Sequence, residues 1–212
     1  MSVEQALLSF ALVAGLLTLV PGMDTALVLR SAVSQGRGRA YATALGINTG
    51  ALVWGIAAAV GASAVLAASE TAFTVLKVAG AAYMVWLGGR MLWKSFRGRP
   101  ADAPEAAEPE VPGSYAQAWL TGMGTNLLNP KVGVFYMAMI PQFIPPDVSP
   151  ALMGTALAMV HNLEGLVFFS AIIWGTHVAR QWLRTPTVVR AIDRITGTVL
   201  VGFGVALAAE AR

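Results

Sequence analysis

Three ionisable residues lie inside long apolar stretches of the sequence: Asp24 in "TLVPGMDTALVLR" (18–30), Lys131 in "NLLNPKVGVFYM" (126–137) and Glu164 in "HNLEGLVF" (161–168). A charge at the centre of a bilayer costs about 2.5 to 3.5 kcal/mol, so such residues are expected to face a protein interior or a wet cavity. An acid and a base in one such cavity have an evident chemistry. Asp24 can hold the ammonium of a zwitterion and Lys131 its carboxylate. The same two residues could instead form a structural ion pair tying two parts of the chain together, and their types leave both readings open. Asp24, His161 and Glu164 are the candidates for proton coupling, because a desolvated carboxyl or a histidine can change charge near neutral pH. A neutral, hydrogen-bonded Glu164 is the alternative.

The elements carrying these residues are broken near them. Pro21 removes a backbone donor and Gly22 opens backbone angles closed to other residues, so "VPGMD" should unwind a helix locally. Asp24 is expected at the N-cap of the helical run "TALVLRSAV" (25–33), and Asn129-Pro130 supplies a matching N-cap and N1 pair. Each break exposes a helix N-terminus, with unpaired N–H groups and a partial positive charge suited to a carboxylate. Pro21, Gly22, Asp24, Asn129, Pro130 and Lys131 are therefore read as substrate-binding. Asn48, in "GINTG" (46–50), joins them because it mirrors Asn162.

Of the 212 residues, 56% are hydrophobic and 12% charged, which excludes an ordinary water-soluble domain. Apolar runs at 3–33, 40–67, 71–95, 115–143, 149–179 and 188–208 predict six transmembrane helices. Eleven of the 14 basic residues fall in alternate connections, around Arg30, Arg37 and Arg39, around Arg90, Lys94, Arg97 and Arg99, and around Arg180, Arg184, Arg190 and Arg194. The positive-inside rule places those connections in the cytoplasm and both termini outside. "MSVE" lacks a basic n-region, so the first run is expected to stay as a helix. The stretch 97–113, rich in proline and acidic residues, reads as a cytoplasmic linker. It separates a first three-helix repeat (1–96) from a second (114–212) that enters the membrane in the opposite sense. The expected fold is thus an all-α integral membrane protein, with two inverted three-helix repeats and broken first and fourth helices.

There is no cysteine, which excludes disulfides and thiolate metal sites. No metal, cofactor, nucleic-acid motif or catalytic array is expected, and the chain is read as a transporter rather than an enzyme. Its expected partners are a small zwitterionic substrate, the lipid bilayer and a coupling ion, for which the candidate proton-coupling residues point to H+. Glycine- and alanine-rich faces such as "AAAVGASAVLAA" (57–68) permit close helix contact and suit a monomer or a homodimer alike. The rival readings are a metal-cation exporter and a non-transporting membrane scaffold.

The blocks "PGMD" (21–24), "GINTG" (46–50), "KVAGAAYMVWLGG" (77–89) and "TNLLNPKVGVFYMAMIPQF" (125–143) together resemble the LysE/RhtB family of amino-acid exporters. The resemblance covers almost the whole chain. It implies a bacterial inner-membrane exporter of amino acids or close derivatives, driven by an ion gradient. It also adds Asn126 to Pro21, Gly22, Asp24, Asn129, Pro130 and Lys131 as a paired signature. Met23 departs from the family's usual Pro-Gly-Pro-Asp/Asn.

Overall fold

The computed structural model describes residues 1–97, 114–176, 178 and 185–209. The linker expected at 97–113 lies outside these residues except for its first position, as do His177, Arg180 and Arg184. Every regular element among the described residues is helical. Helix α1 (Val3–Leu19) opens with a reciprocal cap: Gln5 N donates to Ser2 Oγ at 3.2 Å, and Ser2 N donates to Gln5 Oε1 at 3.0 Å. It stops ahead of Pro21, which has no N–H to continue the ladder. Helix α2 (Met23–Ser34) resumes at an angle of 57° to α1. Gly36, at φ 87°, makes the turn into α3 (Arg37–Ala68) in the left-handed region that favours glycine.

A single residue, Ser69, joins α3 to α4 (Glu70–Phe96), and its hydroxyl caps the new helix by accepting from Ala72 N at 3.1 Å. Beyond the undescribed stretch come α5 (Tyr115–Leu127) and α6 (Pro130–Met139), interrupted at Leu128-Asn129, and a 3-10 turn (Ile140–Phe143). Among the described residues two long helices follow, α7 (Pro150–Trp174) and α8 (Pro186–Ala209). Among the described residues, 37–65 in α3 and 150–174 in α7 are long and apolar enough to cross a membrane singly. Helices α1 and α2 qualify together as one bent span.

Helix α3 is central, packing on α5 and α7, while α4 and α8 form a pair at the side. Small residues set these contacts. A Cβ at Gly46 of α3 would overlap the Trp119 carbonyl of α5, and one at Gly122 of α5 would overlap the Thr43 carbonyl of α3, so the two backbones touch. Two apolar clusters result. The larger gathers Phe10, Phe135, Tyr136, Met139, Ile140 and Leu157, and the smaller gathers Val28, Leu29, Ala44, Ile47, Phe169 and Ile173. Leu8, Leu12, Leu152, Leu163 and Val167 point outward, exposed, which suits a surface in contact with lipid rather than water.

Candidate functional site

Between the two clusters lies a cavity of about 50 Å³, room for a few waters. Both helix breaks reach it. At the first, the chain breaks at Pro21 and the extended Gly22 (φ −150°, ψ −167°) and helix resumes at Met23, earlier than expected, so Gly22 rather than Asp24 is the N-cap. Glycine has no side chain to cap with, and the leading N–H groups of α2 receive no side-chain bond. Asp24 is freed for another use. Its Oδ2 accepts from Asn126 Nδ2 at 2.8 Å, joining α2 to α5, and its buried Oδ1 has no hydrogen-bond partner. The carboxylate sits in the first turn of α2, where the helix dipole favours negative charge.

At the second break the expected cap is present. Asn129 Oδ1 accepts from Lys131 N at 3.1 Å with Pro130 at N1, so the N-terminus of α6 is closed by its own side chain and only that of α2 is open. Lys131 reaches across to the first break, where Nζ donates to the Val20 carbonyl at 3.2 Å. That carbonyl ends α1, and the negative end of a helix favours a cation. Asp24 and Lys131 thus face one cavity without a hydrogen bond between them. Each is held by a broken helix end instead.

The remaining wall comes from α3 and α7. Asn48 Nδ2 donates to the Asn162 carbonyl at 3.2 Å and Asn162 Nδ2 donates to the Asn48 carbonyl at 2.9 Å, a reciprocal exchange at the cavity edge. His161 lines the cavity, and its Nδ1 lies 2.7 Å from the hydroxyl of buried Tyr136. Leu17, Val20, Ile47, Ala51, Val132 and Phe169 supply apolar surface, and Thr18 and Thr25 add polar side chains.

Of the residues singled out in the sequence, Gly22, Asp24, Asn48, Asn126, Lys131 and His161 line this cavity. Pro21, Asn129 and Pro130 shape the breaks from behind the wall. Glu164 stands apart: its carboxyl rests against Gly15 of α1, with Oε2 buried and without a partner. Asn162, Thr25 and Tyr136 are additions. The pairing of Asn48 with Asn162 was legible as a mirror relation, whereas nothing in the local sequence marks Tyr136 as the partner of His161.

Gly22 offers a direct probe of Lys131. A Cβ there would lie 3.1 Å from Lys131 Nζ, and the backbone angles are open to alanine. Gly22→Ala is expected to displace the ammonium and slow the transport expected from the sequence about tenfold, a change of about 1.4 kcal/mol, with thermal stability nearly unchanged. Initial rates and melting curves on the same preparation check this.

A family model described as LysE type translocator matches residues 15–211. Among similar proteins, the uncharacterized membrane protein YrhP of Bacillus subtilis is 29% identical over 203 residues, 94% of this chain and 97% of that one. A leucine efflux protein of an Enterobacter species is 29% identical over 196 residues, 91% of this chain and 90% of its own. A threonine efflux protein of Salmonella typhi is 27% identical over 188 residues, 88% and 89% of the two chains. No solved structure gives a significant match. The family match runs through both broken helices and every wall of the cavity, and the chain belongs to the LysE type translocator family.

Proposed function

We propose that this protein is a secondary-active exporter of a small neutral amino acid across the bacterial inner membrane, working by alternating access between two inverted three-helix halves. One observation carries the reading: an unpartnered carboxylate oxygen of Asp24 and the Lys131 ammonium face the same small cavity beside an open helix N-terminus. In this reading the substrate ammonium binds Asp24 Oδ1, and its carboxylate binds Lys131 Nζ and the leading N–H groups of α2. The apolar wall from Leu17 to Phe169, with Thr18 and Thr25, suits a short aliphatic or hydroxylated side chain. Relatives named for leucine and threonine efflux support that class.

The six-span arrangement pairs α1–α2 with α5–α6, α3 with α7 and α4 with α8, on either side of the linker, with both termini outside. Reciprocal contacts support it. Asn48 and Asn162 exchange bonds, and a Cβ at Gly55 or Gly154 would press on the other's carbonyl, as would one at Gly88 or Gly197. A pseudo-two-fold axis produces such mutual contacts. The coupling ion in this reading is a proton carried by Asp24, His161 or Glu164, and small-residue faces leave room for a homodimer.

The test is movement of labelled amino acids in reconstituted vesicles, leucine and threonine included, with and without an imposed pH gradient. Gradient-stimulated movement of a neutral amino acid is expected. No movement of any amino acid under either condition overturns the reading in favour of a metal-cation exporter or a scaffold. Movement insensitive to the pH gradient removes the proton coupling alone.

A further inference from the structure

The last turns of α4 and its C-cap carry Trp86, Arg90, Trp93 and, at the cap, Arg97, at separations of four, three and four residues, which stacks them along one face. The face is open. Trp86 is 54% and Trp93 51% exposed, and a Cβ added to Gly89, between the two indoles, would meet nothing within 4 Å. The opposite side of α4 is committed, since Gly88 packs on Gly197 of α8. Each arginine is laid back on the preceding indole. The Arg90 guanidinium lies 5.5 Å from the Trp86 ring centroid, and that of Arg97 lies 4.4 Å from the Trp93 centroid. Stacking of this kind holds a guanidinium in place through one face and leaves its N–H edge for an acceptor.

The stripe itself carries no acidic side chain to offset these charges. The only acidic residue of α4 is Glu70 at its far end, twenty residues from Arg90, or about 30 Å along the helix. Arg194 of α8 adds another cation at the same end, over Phe96 at 4.7 Å and bonded through Nε to Ser95 Oγ at 2.9 Å. An outward face of a membrane helix that ends in cations touches lipid over its length and headgroups at its end.

We propose that the Trp86–Arg90–Trp93–Arg97 face of α4 is a binding site for an anionic phospholipid, with the headgroup phosphate at the two guanidiniums and an acyl chain in the notch over Gly89. Charge complementarity selects an anionic headgroup over a zwitterionic one, and the notch between the indoles takes the chain. The site rests on the chain lying in a membrane and is independent of which amino acid is carried or of the orientation of the termini.

The experiment is tryptophan quenching by brominated lipids, comparing brominated phosphatidylglycerol with brominated phosphatidylcholine in otherwise identical vesicles. Subtracting the Trp86→Phe/Trp93→Phe variant isolates the stripe. Quenching by the anionic lipid is expected to exceed that by the zwitterionic one about threefold, and the ratio to fall to about one in Arg90→Gln/Arg97→Gln. Gly89→Leu, whose Cβ has open space around it, fills the notch and should lower quenching by both lipids, with the size-exclusion profile unchanged. Equal quenching by the two lipids in the unmodified protein, or a ratio that survives loss of both arginines, overturns the site. A ratio near one that rises when residues 101–111 are deleted assigns the stripe to the chain's own acidic linker and overturns it as well. None of these readings involves transport, so failure here is distinct from failure of the exporter assignment.

Discussion

Asp24→Asn is expected to lower export by about two orders of magnitude, a loss of about 3 kcal/mol, in a protein that still folds. The two consequences separate because the two carboxylate oxygens do different things. Oδ2 accepts from Asn126 Nδ2 at 2.8 Å, and the carbonyl oxygen of an asparagine can accept the same bond, so the α2–α5 tie survives. Oδ1 has no partner, and in the variant an NH2 group that cannot accept from an ammonium takes its place. The negative charge opposite Lys131 goes with it. Exchange of labelled substrate in vesicles, beside a thermal melt of the same sample, measures both. Full gradient-driven export by the variant would remove Asp24 from the site. Asp24→Lys with Lys131→Asp restores the net charge but neither the Asn126 nor the Val20 bond, and is expected not to restore transport; recovery of folding by the exchange would instead mark the pair as a structural bridge.

A large effect on folding is expected from Gly122→Ala. A Cβ there would overlap the Thr43 carbonyl of α3, a backbone atom that can move only if the helix moves, so separation of α3 from α5 should cost about 3 to 5 kcal/mol. Gly124→Ala, two residues away on the same helix, is the control. Nothing lies within 4 Å of its added Cβ, and the gain in helix propensity makes it neutral or stabilising by up to about 1 kcal/mol. Recovery of monodisperse protein after extraction, with melting temperatures for both variants, reads the contrast. Equal stability of the two would mean that the α3–α5 crossing is not set by backbone contact.

Much of the helical layout was legible because each boundary has a local chemical cause. Pro21 ends α1, Ser69 caps α4, and Asn129-Pro130 opens α6 where the sequence places it. The expected limits of α3, α4, α7 and α8 differ from the observed ones by five residues or fewer. What was not legible depends on residues distant in the chain. Asp24 was expected as an N-cap because its type suits one, but extended Gly22 starts the helix earlier and turns the carboxylate toward Asn126. Whether Asp24 and Lys131 pair could not be read from their types, and it is the Val20 carbonyl, at a helix end created by the break, that takes the ammonium. Glu164 and His161 looked alike as polar residues in one apolar run, yet only His161 reaches the cavity. Glu164 sits three residues further along α7, on a part of the helix that meets Gly15 of α1.

The mutual bonds between Asn48 and Asn162 carry a consequence for energetics. If the two halves trade conformations during the cycle, a contact that maps onto itself is made equally in both end states and drops out of the free-energy difference between them. It can serve as a pivot but cannot bias the resting orientation. That bias must come from contacts with no mirror image, such as the Lys131–Val20 and Tyr136–His161 bonds. Weakening the asparagine exchange should therefore alter how fast the carrier turns over, whereas weakening either unmatched bond should alter which side of the membrane it favours at rest.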